Sequence, residues 1–261
     1  MKKNLRLAAI VIALFAPLSS FAFDLMPYAE EVGSSQELSK RWFKEGVLMV
    51  YSNSDDTSAR AGFQLIERSS KVGMSHALGA MGLFHEQGLF VKKDLNLAKK
   101  YYENAVSAGS PIGFYGMARV YENGYGGVQA SLSDRNFWLR KGADASNKES
   151  VFGLAVALEQ GQGLTINHRA AARHYLKACN QRMLEACYNL GIKLAKGIDL
   201  PQSYTNALAL LLYAQDNGFE PAKLAVEGFI RHVPDPELKK AILNASKMTK
   251  SKTAEALDLS F

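Results

Sequence analysis

Four phrases that each end in glycine decide how this chain folds: Met81-Gly82-Leu83-Phe84-His85-Glu86-Gln87-Gly88, Met117-Ala118-Arg119-Val120-Tyr121-Glu122-Asn123-Gly124, Leu154-Ala155-Val156-Ala157-Leu158-Glu159-Gln160-Gly161 and Leu190-Gly191-Ile192-Lys193-Leu194-Ala195-Lys196-Gly197. Their starts lie 36, 37 and 36 residues apart. A second set keeps the same period (Ala98, Arg135, Ala171, Ala207), and so does a third that closes each unit (Gly73, Gly109, Ser146, Arg182, Gly218). One extra residue at Gly126-Gly127 accounts for the single 37. Three position sets that share one period mark a repeat protein.

Each unit reads as two helices. Ala77, Met81 and Phe84 share one helical face, and Ala98, Tyr101, Tyr102 and Ala105 share another. The glycines fall between these stretches, where a helix should stop. Asp94, Ser131, Asn167 and Ser203 each stand four residues before the small residue of the second helix. Side chains of these types cap helix N-termini by accepting a backbone N–H. Ser131 with Asp134 is a variant capping box. Near the end, Asp235-Pro236 places an N-cap and a first-turn proline before a last helix, Glu237 to about Met248.

The phrases resemble Sel1-like repeats, relatives of the tetratricopeptide family, whose pattern is roughly A-x-x-x-L-G-x-x-Y-x-x-G-x-G-V and then D-x-x-x-A-x-x-W-x-x-K-A-A-x-x-G. Ala77 to Gly109 and Ala186 to Gly197 follow it well. His85 stands at the usual Tyr, Tyr101 at the usual Trp, and Trp138, Lys141 and Ala143 keep the second half in the third unit. The resemblance implies an all-α fold, a right-handed α/α superhelical solenoid of about five to six helix-turn-helix repeats. The expected repeats span about 36–74, 75–110, 111–147, 148–183 and 184–220, with a truncated one at 221–249. A lead segment, 23–35, precedes them, and a polar tail, 250–261, follows.

Composition agrees with a packed chain. Of 261 residues 48% are hydrophobic and 21% charged, too apolar for disorder. The formal charge is +6 and the sequence pI about 9.1. Part of that excess belongs to an address. Lys2, Lys3 and Arg6 precede an apolar stretch from Leu7 to Leu18, and Ser20 and Ala22 are small residues before an expected cleavage site. Residues 1–22 thus read as a signal peptide for Gram-negative-type export to the periplasm or beyond. The stretch is shorter than the ~20 residues of a spanning helix. Cleavage leaves 28 basic against 25 acidic side chains, or +3. That balance gives no support to nucleic-acid binding, and no stable membrane insertion is expected after cleavage.

Cys179 and Cys187 are the only cysteines. One ends a second helix and the other opens the next first helix, so the turn between them is one a disulfide could span; two buried free thiols are the alternative. The context Lys177-Ala178-Cys179 to Cys187-Tyr188-Asn189-Leu190-Gly191 is similar to the cysteine-rich Sel1 subfamily of Helicobacter. In that subfamily each repeat carries a C-x7-C bridge at this place, which implies a Cys179–Cys187 disulfide.

Some cysteine-rich relatives have been described as β-lactamase-like or penicillin-binding, so weak activity of that kind is the alternative function. The chemistry it needs is missing from the sequence. No S-x-x-K or S-D-N occurs, and Lys252-Thr253 runs into Ala254. G-x-S-x-G and a phosphate loop ending in G-K-[ST] are also absent. His85-Glu86 has no second His four residues on, and His168 and His174, six apart, point to different helix faces. His76 and His232 complete the set. Each histidine reads as a packing or surface residue, and no catalytic residue, metal site or cofactor is expected.

Binding is expected on the concave face that the first helices would line. Two residues before the Met81/Met117/Leu154/Leu190 ladder stand Gly79, Tyr115, Phe152 and Tyr188; Arg119 stands two after, and Glu86, Glu122 and Glu159 five after. An aromatic row, Tyr115–Phe152–Tyr188, beside an acidic row that includes Glu122 and Glu159 and carries Arg119, suits a protein or peptide segment. The alternative is that the aromatics pack on neighbouring helices and the glutamates are solvated. The resemblance implies an adaptor, a regulator of an envelope enzyme, a host-interaction factor or an immunity protein.

Overall fold

The computed structural model describes residues 34–52, 55–197, 199–231, 233–248 and Leu257. The expected signal peptide, most of the lead segment, His232 and the tail apart from Leu257 lie outside these. The described residues form helices and no strand, in two compact units that meet in sequence at Asn147 and Lys148.

The first unit holds α1 (Ser34–Tyr51), α2 (Asp56–Lys71), α3 (Ser75–Gln87), α4 (Leu95–Ser107), α5 (Pro111–Asn123) and α6 (Leu132–Asp144). The second holds α7 (Lys148–Gln160), α8 (His168–Asn180), α9 (Leu184–Lys196), α10 (Tyr204–Asp216), α11 (Glu220–Ile230) and α12 (Asp235–Met248). From α3 to α10 every helix has 13 residues. Within each unit consecutive helices as far as α11 pack against one another, giving the all-α helical repeat class that the period predicts.

The expected punctuation marks the joints. Gly88, Gly124 and Gly197 end first helices in the left-handed region, and Gly161 takes the same sign of φ. The second helices α4, α6, α8 and α10 are capped by the predicted side chains: Asp94 accepts from the Leu97 N–H at 2.9 Å, Ser131 from Asp134 at 3.2 Å, Asn167 from Ala170 at 2.8 Å and Ser203 from Asn206 at 3.3 Å. The same four residues donate their own N–H back across the loop, to the carbonyls of His85, Tyr121, Leu158 and Leu194. One residue therefore closes the loop and starts the helix. The closing positions Gly73, Gly109, Ser146, Arg182 and Gly218 all have positive φ, between 60° and 92°. Ser146 and Arg182 hold that conformation with a side chain, which costs roughly 1–2 kcal/mol each relative to right-handed backbone.

The end repeats depart from the pattern in identifiable ways. At α1–α2 the crossing is glycine on glycine: a Cβ on Gly46 would lie 2.6 Å from the Gly62 carbonyl oxygen, and the reverse distance is the same. At the other end α12 packs along α10 instead of pairing with α11. With α9, α11 and α12 all against it, α10 is buried on most sides, and Leu208, Leu210 and Leu211 are fully enclosed. That accounts for a helix too uniformly apolar to show one hydrophobic face. Asn206 of α10 also donates to the Leu257 carbonyl at 3.2 Å, tying that residue to the second unit.

Candidate functional site

The same hydrogen-bonded arrangement is built twice, once in each unit. A glutamate near the end of a first helix takes the hydroxyl of a tyrosine 16 residues later on the following helix, and a cation from the next first helix pairs with it. In the first unit these are Glu86, Tyr102 and Arg119; in the second, Glu159, Tyr175 and Lys193. Glu86 and Glu159 are 73 residues apart, as are Tyr102 and Tyr175, which is two repeats.

The first version is interior. The Tyr102 hydroxyl donates to Glu86 at 2.7 Å, and the Arg119 guanidinium lies 3.1 Å from the other carboxylate oxygen. The Glu86 side chain is 6% exposed and that of Arg119 16%. Two glycines make room for the ring: a Cβ on Gly116 would come within 2.2 Å of it, and one on Gly82 within 2.5 Å. Burial, and then the Glu86 charge, push the Tyr102 hydroxyl well above its ordinary pKa, so it stays a donor. For Arg119, burial works most strongly against the charged form, but Glu86 together with Tyr115, Tyr102 and Tyr125 outweighs it and the pKa rises. Burial and Glu86 also push Tyr125 up. Tyr115 interacts with Arg119, and Glu122, nearly half exposed, pairs with buried Arg135 at 3.2 Å.

The second version is open. Tyr175 donates to Glu159 at 2.6 Å and Lys193 donates to the other oxygen, its ammonium 5.8 Å from the centre of the Tyr175 ring. Here the glutamate side chain is 31% exposed. Burial alone would raise the Glu159 carboxyl, but the hydrogen bonds from Lys193 and Tyr175, with the Lys193 charge, hold it below its ordinary range. The group lines a cleft of about 590 Å³ between α7, α8 and α9. Phe152 packs edge-on to Tyr175 at 5.6 Å, and Tyr188 packs on Phe219 at 5.5 Å.

Sequence substitutions at matching repeat positions separate the two. Gly79 is covered by Ile112 in the first unit, whereas the matching residues in the second are Phe152 and Glu185. The place of Gly116 is taken by Asn189, whose side chain hydrogen-bonds Tyr175. The cation also moves by one residue, since Arg119 aligns with Ile192 and not with Lys193.

Of the six expected binding residues, the structure places Phe152, Glu159 and Tyr188 together on the cleft. Tyr115, Arg119 and Glu122 belong to the first unit, where Arg119 is turned into the buried network. The expected set missed Tyr175, which stands on the second helix α8, and Glu185, Asn189 and Lys193, which stand on the first helix α9 at other positions of its face. The signal for the tyrosines was the Glu–Tyr spacing of 16, which recurs after two repeats and not after one. The Cys179–Cys187 disulfide is formed and bridges the end of α8 to the start of α9. Among the described residues no group of three or more His, Cys, Asp or Glu could hold a metal ion, and no helix is long and apolar enough to cross a membrane.

Comparison with known proteins agrees with this architecture. The Sel1 repeat family matches at residues 75–110, 148–182 and 184–219. A Sel1 repeat protein from Oxalobacter formigenes is similar in structure, with a TM-score of 0.63 and 17% identity over 80% of this chain and 88% of that one. A protective antigen of uropathogenic Escherichia coli with the same kind of fold has a TM-score of 0.51 and 21% identity, over 86% of this chain and 56% of its own. A Sel1 repeat protein of Klebsiella pneumoniae gives 0.50 and 16%, over 80% and 98%. No curated protein matches the sequence. The chain therefore carries Sel1 repeats at these three places, in a fold that the similar structures share.

Proposed function

We propose that this is an exported, non-enzymatic protein that binds another protein at the α7–α9 cleft, as an adaptor, regulator or inhibitor of an envelope or secreted partner. Sel1 repeats generally serve protein–protein interaction. The observation that carries the reading here is the cleft, where Phe152 and Tyr188 offer aromatic surface beside the Glu159–Lys193 pair. Aromatic anchors beside a few fixed polar groups are the usual makings of a recognition site. Export is supported by the order of basic, apolar and small residues over 1–22.

The test is affinity capture from an envelope extract with the full chain tagged at its C-terminus, beside Phe152→Ala/Tyr188→Ala. The expected result is a protein held by the parent chain and lost with the double variant, with both chains found outside the cytoplasm on fractionation. Capture that is the same for both would overturn the cleft, and a cytoplasmic chain would overturn export. Nitrocefin turnover by the purified chain would instead favour the β-lactam-directed alternative.

A further inference from the structure

We infer that the α7–α9 cleft takes an extended peptide segment of about five residues that carries a basic side chain at one end, an acidic one at the other and apolar residues between. The inference rests on the binding role proposed above and adds the chemistry of the bound segment.

The cleft wall on α9 is a single stripe. Glu185, Tyr188, Asn189, Ile192, Lys193 and Lys196 recur at i, i+3, i+4, i+7, i+8 and i+11, and all six line the cleft. At ~1.5 Å of rise per residue the stripe is about 16 Å long. A fully extended peptide covers that with about five residues at ~3.3 Å each.

Charge is distributed along it by position. Lys193 and Glu159 satisfy each other in the middle. The acidic end is Glu185, and the basic end is Lys196 beside His168. Among the described residues neither Glu185 nor Lys196 makes an ion pair. His168 lies 4.0 Å from Asp199 and keeps a buried Nδ1 with no hydrogen-bond partner. Glu185 is partly buried, and burial pushes its carboxyl up, the state of a carboxylate that would gain from a cation.

Between the ends, Phe152 and Val156 on α7 face the same cleft as Tyr188 and Ile192 on α9. Those four give an apolar middle, and the amides of Asn189 and Gln160 offer donors and acceptors to a peptide backbone. A nucleic-acid strand fits poorly, because Glu159 and Glu185 would both face its phosphates.

Selection of a displayed random heptapeptide library on the full chain tests this. The expected winners carry one basic and one acidic residue four to six positions apart around apolar residues. A synthetic winner should bind Lys196→Glu, an exposed position, roughly tenfold more weakly than the parent, because the reversed charge repels the acidic end. The same peptide should bind Phe152→Ala/Tyr188→Ala more weakly as well. Winners without the charge pair, or a winner indifferent to Lys196→Glu, overturn the inference while the cleft can still be the binding site. Failure to enrich any peptide also overturns it, and capture of a protein dependent on Phe152 and Tyr188 would then show that the wider reading survives. A winner unaffected by the Phe152/Tyr188 change overturns both.

Discussion

Tyr102–Glu86–Arg119 and Tyr175–Glu159–Lys193 are the same device in two environments, and only one of them is available to a ligand. In the first unit Gly82 and Gly116 let the tyrosine ring sink between helices, Ile112 covers Gly79, and Arg119 closes over the carboxylate. The group there is a buried polar network that fixes how α3, α4 and α5 meet. In the second unit Phe152, Glu185 and Asn189 stand in the places of Gly79, Ile112 and Gly116, and the carboxylate is left on the wall of a cleft. Repeat proteins can thus keep one internal motif and turn it from structural to exposed by changing its neighbours.

The comparison breaks first at the glutamates. Glu86→Ala leaves the Arg119 guanidinium buried without its partner, and removal of one member of a buried pair costs about 3–5 kcal/mol. Glu159→Ala removes a carboxylate that water already reaches, and Lys193, itself 12% exposed, has the open cleft to turn into, so a smaller loss of about 1–2 kcal/mol is expected. Urea unfolding of the two variants beside the parent measures both. Equal losses would mean that the two sites do not differ in burial energetically.

The second unit has a brace that the first lacks. Cys179–Cys187 closes a loop of eight residues between α8 and α9, worth roughly 2.5 kcal/mol in the chain-entropy view. Cys179→Ala/Cys187→Ala should speed amide hydrogen exchange in α8 and α9 and leave α1 to α6 unchanged. An open cleft has fewer buried contacts to hold its walls, and a covalent tie at one end compensates. A uniform rise in exchange over both units would remove that link between the bridge and the cleft.

The tyrosine hydroxyls sharpen the same contrast at smaller scale. Tyr102→Phe removes a donor from an enclosed carboxylate and should cost about 1–2 kcal/mol. Tyr175 is as buried as Tyr102, but its acceptor Glu159 is 31% exposed and can take water instead, so about 0.5–1 kcal/mol is expected for Tyr175→Phe. The reverse order in thermal or urea unfolding would say that the open site is the more tightly held.

Most of the fold was legible in the sequence because it depends on local chemistry. A cap at Asp94 or Asn167 and a left-handed stop at Gly88 act within a few residues, and a 36-residue period displays them repeatedly. The placement of α12 was not legible, since its partner α10 is decided by which face remains uncovered, although the unbroken apolar run Leu208-Ala209-Leu210-Leu211-Leu212 was its trace. The site was legible in part. The spacing rule that put Phe152, Glu159 and Tyr188 in register is helical geometry. Whether a glutamate is sealed or open depends on residues a whole repeat away, such as Gly116 or Asn189, and a one-repeat comparison does not align those pairs.

The smallest effect separates two carboxyls within the cleft itself. Glu159 is held below its ordinary pKa of 4.5, so its contribution to stability is present above that value and is lost as pH falls through the lowered folded value. Glu185 is shifted the other way by burial, so its ionised form carries a penalty that is relieved as pH falls through its raised value. Acidification therefore neutralises Glu185 first, with a slight gain in stability, and Glu159 later, with a loss. Carbon-13 carboxyl titration should find the two residues on opposite sides of 4.5, with Glu159 returning upward in Lys193→Met because both the ammonium hydrogen bond and its charge are gone. Both partly exposed carboxyls report small energies, but their order is a strict reading of the cleft. If Glu159 titrated above Glu185, the ion pair would not be holding the middle of the cleft, and the separation of charge between its two ends would have no fixed centre.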